Sequence, residues 1–269
     1  MSDPLRGFDP KGTYDDASLD YERGSRAFWE QLSSRTVALA SPVAGESILD
    51  VPCGTGPSVV AAARAVGPDG QVLGIDYADQ MLAIAQEKVT VADLANVDLR
   101  ASDMTDLDLP LGSFDVVLCV LGLFFVDDMP SLVRSFWGLL RPGGRLAITV
   151  LGDRFFTPML DVFVDAVHAE RPGFDVVEPW RRTEDRGTLQ TIMTDAGVPA
   201  SEIQSEVDVI AVESSDWWRI VLGTGLRRTA MALDPDEAER VRGRCERFMR
   251  ENDVRQVELS SHYIIALRP

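Results

Sequence analysis

The feature that most restricts the fold is an apolar run that ends in a glycine loop and leads into a helix. Residues 48–57 read ILDVPCGTGP, and an alanine-rich helix is predicted over 58–66. Proline suits the first turn of a helix because its missing N–H has no partner there. Glycine allows a positive φ and lets a ligand approach the backbone. This order is typical of the first strand of an open parallel sheet, where ligands bind outside the carboxyl ends of the strands.

Strand patterns and helical patterns continue to alternate through the first half of the chain. Such a series predicts right-handed crossovers and a parallel sheet with helices on both faces. The segment 114–120 is almost continuously apolar, as expected of a strand that is covered on both sides. The predicted strands are 47–51, 71–75, 97–101, 114–120 and 145–151, and the predicted helices are 58–66, 79–94 and 130–140.

The flanking segments have other patterns. Residues 1–20 are polar and predict a mobile arm, and the apolar spacing predicts a helix over 21–40. After residue 151 we predict helices over 157–170, 188–196, 216–233 and 235–250, a loop over 171–180, and strands over 202–212 and 258–267. We therefore predict one sheet domain in three parts: an N-terminal arm and helices on the lid or substrate side (1–46), a ligand-binding core (47–151), and a segment that completes the sheet and carries cap helices (152–269).

Composition narrows the range of partners. The 269 residues include 26 Lys and Arg against 43 Asp and Glu, a net charge of −17 that disfavours nucleic acid and anionic lipid surfaces. Cys53, Cys119 and Cys245 form no CxxC pair, and with two histidines no metal site is expected. The start shows no signal-peptide pattern, and the longest apolar stretch, 116–126, is too short to span a membrane. We predict a soluble, cytoplasmic protein.

Two kinds of cofactor suit the glycine loop on the residues alone. A dinucleotide loop reads GxGxxG, whereas here Gly54 and Gly56 are followed by PSV at 57–59, so the third glycine is missing. Asp76, at the end of the second predicted strand, suits either cofactor because both carry a ribose diol. A carboxylate accepts two hydrogen bonds from such a diol. Asp76 alone therefore does not decide between them.

Five sequence blocks follow one another in an order and spacing that a known family shares. They are LDVPCGTG (49–56), GID (74–76) with Met81-Leu82 behind it, SDM (102–104), FDVV (114–117) and LRPGGRL (140–146). Together they resemble the class I S-adenosylmethionine-dependent methyltransferases of the ubiquinone/menaquinone type. The resemblance implies S-adenosyl-L-methionine as the cofactor. It also implies an α/β fold with a Rossmann-like seven-stranded, mostly parallel sheet, helices on both faces, an antiparallel last strand and helical cap elements.

The same resemblance assigns roles to individual residues. Asp50 and the loop glycines are expected to hold the amino-acid end of the cofactor, Asp76 its ribose hydroxyls and Asp103 its adenine amino group. Pro52 stands where the family usually has its first loop glycine, which removes a backbone donor. The predicted cofactor-binding residues are Tyr21, Asp50, Pro52, Cys53, Gly54, Gly56, Asp76, Tyr77, Met81, Ser102, Asp103, Met104, Val120 and Leu121.

Methyl transfer from a sulfonium is a direct displacement, so it depends on positioning more than on a catalytic triad. The weak candidates for a catalytic base are His168, His262 and Asp153. We predict transfer to a C, O or N atom of a small apolar or aromatic acceptor, such as a secondary metabolite or a quinone-like compound, by a monomer or homodimer. The alternatives are a nicotinamide-dependent oxidoreductase and a non-catalytic protein that binds S-adenosylmethionine.

Aromatic residues near predicted strand ends and in the late segments indicate where the acceptor binds. The predicted substrate-binding residues are Tyr14, Phe28, Phe125, Phe155, Trp180, Trp217 and Trp218. Two arginine pairs, 181–182 and 227–228, are candidates for contact with an anionic acceptor.

Overall fold

The computed structural model describes residues 9–199 and 201–269. Its centre is a seven-stranded sheet in the order β3-β2-β1-β4-β5-β7-β6. All neighbouring strands are parallel except β7, which runs antiparallel to β5 and to β6. The predicted fold class, with its antiparallel last strand, is therefore confirmed. The strands are β1 Ser47–Asp50, β2 Gln71–Asp76, β3 Val97–Ala101, β4 Phe114–Val120, β5 Leu140–Leu151, β6 Glu202–Ala211 and β7 Gln256–Leu267.

Helices cover the sheet and extend beyond the carboxyl ends of its parallel strands. In the first half they follow the predicted alternation with small shifts at their ends, and β5 begins earlier than predicted. The helices are α1 Pro10–Asp20, α2 Arg26–Ala40, α3 Pro57–Val66, α4 Asp79–Val91, α5 Met129–Leu139, α6 Met159–Glu170, α7 Arg186–Asp195, α8 Trp217–Leu222, α9 Arg227–Ala232 and α10 Pro235–Glu251. Short 3₁₀ turns lie at Leu123–Phe125 and Pro179–Arg182.

The prediction of an irregular arm at the N-terminus is wrong for residues 10–20, which form α1. Pro10 occupies its first turn, and the helix is fastened to the start of α4. The Lys11 ammonium donates to the Tyr77 carbonyl at 2.5 Å and to Asp79 at 3.0 Å. A π-helical turn, Tyr21–Ser25, joins α1 to α2. Residues 1–8 of the predicted arm lie outside the described residues.

The single helix predicted over 216–233 is also wrong, because the chain forms two short helices, α8 and α9. The break falls at 223–226, where Gly223 meets the backbone of the N-terminal segment. A Cβ on Gly223 would lie 2.6 Å from the Asp20 carbonyl oxygen, so the close approach requires glycine. The apolar periodicity within the segment gives no sign of this long-range contact.

The central strands are buried on both faces, as predicted for a covered parallel sheet. Every residue of β4 except Asp115 and Val120 is buried, and the main core extends from this sheet into α2, α6, α8 and α10. All three cysteines are buried and free. Within the described residues, no helix combines the length and the apolar character that crossing a membrane requires.

Candidate functional site

A cavity of about 350 Å³ lies beyond the carboxyl ends of β1, β2 and β4. The strand ends and their loops form one wall, which we call the strand-tip side. The N-terminal helices, the two 3₁₀ turns and the segment after α8 form the opposite wall. The strand-tip side is lined by Gly54, Asp76, Tyr77, Met81, Ser102, Asp103 and Met104. Ligands of open α/β sheets bind at this edge.

The glycine loop passes close beneath the cavity. Gly54 has φ +52° and Gly56 has φ +82°, values that favour glycine. A Cβ on Gly54 would meet no other atom within 4 Å, so the backbone there is open to a ligand. A Cβ on Gly56 would lie 3.0 Å from that of Ala85, so this glycine lets α3 pack on α4. Gly54 lines the cavity and Gly56 does not.

Asp76 connects the glycine loop to the end of β2. Its two carboxylate oxygens accept hydrogen bonds from the backbone N–H of Gly54 at 2.8 Å and of Ala78 at 2.9 Å. Burial raises the pKa of Asp76, although these donors oppose the shift. Each oxygen retains capacity for a further hydrogen bond. The side chain lines the cavity, so a ribose diol fits its acceptors.

Asp50, which the resemblance assigns to the amino-acid end of the cofactor, does not line the cavity. It is fully buried at the end of β1, beneath the glycine loop. The Ser58 hydroxyl donates to its Oδ2 at 2.5 Å, while Oδ1 has no hydrogen-bond partner among the described residues. Burial raises the pKa of Asp50 to about 7. The strand end turns this carboxyl inward, where it fixes the first turn of α3.

Apart from Asp50 and Gly56, all predicted cofactor-binding residues line the cavity, including Tyr21, Pro52, Cys53, Val120 and Leu121. Asp103 uses one carboxylate oxygen to accept from the N–H and the hydroxyl of Thr105, at 2.8 and 2.7 Å. Its other oxygen makes no hydrogen bond within the described part of the chain. The roles of these residues toward a cofactor remain predictions.

Aromatic rings line much of the rest of the cavity, and we call this part the aromatic chamber. Tyr14 meets Phe125 edge to face at a centroid distance of 5.6 Å, and Phe155 meets Trp180 in the same way, also at 5.6 Å. Tyr21 stacks on Trp29 at 5.4 Å and so joins the chamber to the strand-tip side. The chamber is lined by Tyr14, Trp29, Ser33, Phe124, Phe125, Phe155 and Trp180.

Trp29, Ser33 and Phe124 were not among the predicted substrate-binding residues, although they line the cavity. Trp29 and Ser33 lie four residues apart and therefore on one face of α2, a spacing that is equally typical of a core-facing helix. Conversely, Phe28, Trp217 and Trp218 do not line the cavity. Phe28 and Trp217 pack against Phe156 in the core, and Trp218 lies beside Phe163. Their prediction as substrate contacts is corrected accordingly: these three side chains hold the cap on the sheet.

None of the candidate bases lines the cavity. His262 is buried on β7, where Nδ1 bonds the Ser205 hydroxyl and Nε2 bonds the Glu184 carbonyl, both at 2.8 Å. His168 is exposed at the end of α6, with Nε2 3.0 Å from the Phe174 carbonyl oxygen. Asp153 lies exposed after β5. The structure thus places these side chains in structural or surface positions.

The arginines proposed as contacts for an anionic acceptor also lie outside the cavity wall. Arg181 pairs with Glu178 and Glu184. Arg182 donates to the carbonyls of the loop after β4, and Arg227 pairs with Asp20 at 2.8 Å.

Comparisons with known proteins support the resemblance to the class I S-adenosylmethionine-dependent methyltransferases. Residues 48–144 match a family model described as a methyltransferase domain. A SAM-dependent methyltransferase from Aquifex aeolicus has the same fold, with a TM-score of 0.55 at 17% identity; the alignment covers 94% of this chain and 99% of that one.

Two named methyltransferases are similar to this chain over about half of its length. Demethylmenaquinone methyltransferase from Listeria monocytogenes is 40% identical over 112 residues, covering 42% of this chain and 47% of that protein. Aklanonic acid methyltransferase from Streptomyces sp. is 34% identical over 136 residues, covering 51% and 62%. The chain thus matches about half the length of these relatives.

Proposed function

We propose that this chain binds S-adenosyl-L-methionine and transfers its methyl group to a C, O or N atom of a small, flat, largely apolar molecule. The observation that supports this most is the continuity of the cavity. An exposed glycine backbone and a buried acid at the strand tips lead, past Tyr21, into a chamber walled by aromatic rings. The cavity volume is in the range of small-molecule sites.

The strand-tip side suits the cofactor. Asp76 would accept from the ribose hydroxyls, while Tyr77 and Met81 would flank the adenine and Asp103 would accept from its amino group. When bound, S-adenosylmethionine supplies an electrophilic methyl group on a positively charged sulfur. The hydroxyl of Tyr21 stays protonated because burial raises its pKa well above the ordinary value, so it is a hydrogen-bond donor at this end of the cavity.

The N-terminal helices would exclude water from the reaction. Lys11 and Asp15 fasten α1 to the start of α4, the latter by accepting from the Gln80 N–H at 2.9 Å. Trp29 and Tyr21 then cover the glycine loop from above. Holding an acceptor in line in a closed site contributes on the order of 7–11 kcal/mol. The chain would act chiefly by positioning, since its three candidate bases lie away from the cavity wall.

The decisive experiment compares ligands by titration calorimetry. S-adenosylmethionine and S-adenosylhomocysteine should bind, and NAD should not, because the third glycine of a dinucleotide loop is missing. Asp76→Ala should weaken S-adenosylmethionine binding by about 1.5–3 kcal/mol, the value of hydrogen bonds to a charged group. Asp98→Ala, which removes an exposed acid from the neighbouring strand β3, is the matched control and should leave binding unchanged.

Turnover separates an enzyme from a non-catalytic relative. The protein with methyl-labelled S-adenosylmethionine should label flat aromatic or quinone-like acceptors. Binding of the cofactor without transfer to any acceptor of this kind would favour the non-catalytic alternative. Uptake of NAD in place of S-adenosylmethionine would contradict the proposal altogether.

We further propose the three-part organisation predicted above, with 47–151 as the cofactor-binding core and the N-terminal and cap segments enclosing the acceptor. A small-molecule acceptor from secondary metabolism, a cytoplasmic location and a monomeric or homodimeric state complete this proposal. Support comes from the wall itself, since Tyr14 and Trp29 come from the first part and Phe155 and Trp180 from the third.

A further inference from the structure

The charged residues in the cavity wall all carry the same sign. Among the described residues that line it, Asp76, Asp103 and Asp127 are the charged ones. The arginines near the wall in sequence already have partners. Arg181 pairs with Glu178 and Glu184, and Arg227 pairs with Asp20. Arg182 donates to three loop carbonyls and lies 3.9 Å from the Asp127 carboxylate. An anionic ligand in the aromatic chamber would lose its hydration without meeting a positively charged side chain in the described cavity wall, which is unfavourable.

The polar groups that the chamber does offer are hydroxyls. Ser33 is 2% exposed and lines the cavity one turn after Trp29. Its hydroxyl has no hydrogen-bond partner among the described residues, whereas the other serine on this face, Ser25, accepts from the Trp29 indole and donates to a backbone carbonyl. A buried hydroxyl without a partner is unfavourable, so Ser33 is available to bind a ligand.

Tyr14 also lines the chamber and offers the same chemistry. Burial raises the pKa of Tyr14, so its hydroxyl remains a neutral donor. Its ring packs edge to face on Phe125, and among the described residues its hydroxyl makes no hydrogen bond. Aromatic faces with a few neutral donors suit a flat molecule that bears a carbonyl or phenolic oxygen.

We propose that the aromatic chamber selects a flat, uncharged acceptor, that Ser33 donates a hydrogen bond to an oxygen of that acceptor, and that acceptors bearing a carboxylate are excluded. This rests on the proposed function and specifies its substrate class. Ser33 is thus a specificity-determining residue.

The test measures binding to protein saturated with S-adenosylhomocysteine, by equilibrium dialysis at pH 7.5. Three compounds share one ring system: methyl 1-hydroxy-2-naphthoate, the corresponding carboxylic acid, and 2-methylnaphthalene, which lacks oxygen. The ester should bind at least tenfold more tightly than the ionised acid. Ser33→Ala should weaken ester binding about five- to tenfold and leave 2-methylnaphthalene unaffected. Ser34→Ala, an exposed neighbour on α2, is the matched control and should change neither.

Each other outcome overturns a stated part of the proposal. Equal binding of acid and ester would refute the exclusion of anions. Unchanged ester binding by the Ser33→Ala variant would refute the role of that hydroxyl. If S-adenosylhomocysteine binds but none of the three compounds does, the substrate class is wrong while the proposed function stands. Failure to bind S-adenosylhomocysteine at all would instead refute the proposed function.

Discussion

The two sides of the cavity are built in opposite ways. On the strand-tip side, backbone groups and short loops form most of the wall, and Gly54, Asp76 and Asp103 lie within about fifty residues of one another. In the aromatic chamber, side chains provide the wall, and they come from segments as far apart as Tyr14 and Trp180. The first side depends on local geometry at parallel strand ends, whereas the second depends on long-range packing.

This difference explains why similarity to known proteins is uneven along the chain. A wall of glycine backbone and a few acids restricts the sequence only at a few spaced positions, and the family model matches the chain there, over 48–144. An aromatic wall can be assembled from many combinations of side chains. The variable segments are therefore where we expect acceptor specificity to be determined.

The largest expected effect tests whether the cap is part of the main core. Trp217 is fully buried between Phe156 and α10 without lining the cavity. Trp217→Ala should lower the free energy of unfolding by about 3–5 kcal/mol, the usual loss for a large buried aromatic. Urea unfolding followed by circular dichroism measures this, with the half-buried neighbour Trp218→Ala as a milder control. Two separate transitions in the wild type would show that the cap folds independently of the sheet.

A pH effect of about 4 kcal/mol tests the buried acid below the glycine loop. Burial raises the pKa of Asp50 from an ordinary 3.8 to about 7. Between these values the folded state keeps a proton that the unfolded chain has lost, so this group's contribution to stability is complete below about pH 4 and is lost as pH rises toward 7. One pKa unit corresponds to about 1.4 kcal/mol.

Asp50→Asn keeps the side-chain volume and removes the titration. The stability difference between this variant and the wild type should shift in favour of the variant as pH rises from 4 to 8, as measured by urea unfolding at each pH. Using the difference cancels the acids whose pKa is lowered, such as Glu46 and Glu237. A pH-independent difference would mean that Asp50 is ionised in the folded state.

The same contrast between local geometry and long-range packing explains which features could be predicted from the sequence. The sheet, its crossovers and most of the strand-tip wall follow from patterns that span ten residues or fewer, such as the glycine loop and the acid after β2. The inward orientation of the Asp50 side chain was not predicted, because the direction of a side chain at a strand end depends on the register with β4. The helix break at Gly223 and the position of Ser33 in the cavity wall were not predicted, because both depend on contacts with segments that are distant in sequence.

A smaller loss of stability, about 1–2 kcal/mol, is expected when alanine replaces a glycine with positive φ. Two such glycines distinguish the cost of the backbone conformation from the cost of close packing. Gly45 and Gly56 have nearly equal φ, +84° and +82°, but a Cβ would have open space at Gly45 and would meet Ala85 at 3.0 Å at Gly56. Alanine at either position should lose stability from the left-handed backbone. Gly56→Ala should lose more and should also weaken S-adenosylhomocysteine binding, whereas Gly45→Ala should not. Calorimetry and urea unfolding give both quantities, and equal losses would show that the contact with α4 is unimportant.

The smallest expected effect, roughly 1 kcal/mol, concerns the link between the two sides. The Lys88 ammonium on α4 donates to Glu22 in the π turn at 2.6 Å and to the Thr55 hydroxyl in the glycine loop at 3.2 Å. Both members of the ion pair are about four-fifths buried, so the pair is worth more than a surface bridge. It fixes the turn that carries Tyr21 relative to the loop that carries Gly54.

Lys88→Met keeps most of the apolar stem and removes the ammonium. S-adenosylhomocysteine binding should therefore weaken by roughly 1 kcal/mol, and stopped-flow fluorescence should show faster dissociation. Glu22→Gln should weaken binding to a similar extent, and the double variant Lys88→Met/Glu22→Gln should be little worse than either single variant, because all three lose the same contact. Lys11→Met, which cuts a more exposed tie of α1, is the comparison. Additive losses in the double variant would show that Lys88 and Glu22 act separately, and the aromatic chamber would then be positioned over the strand tips by packing alone.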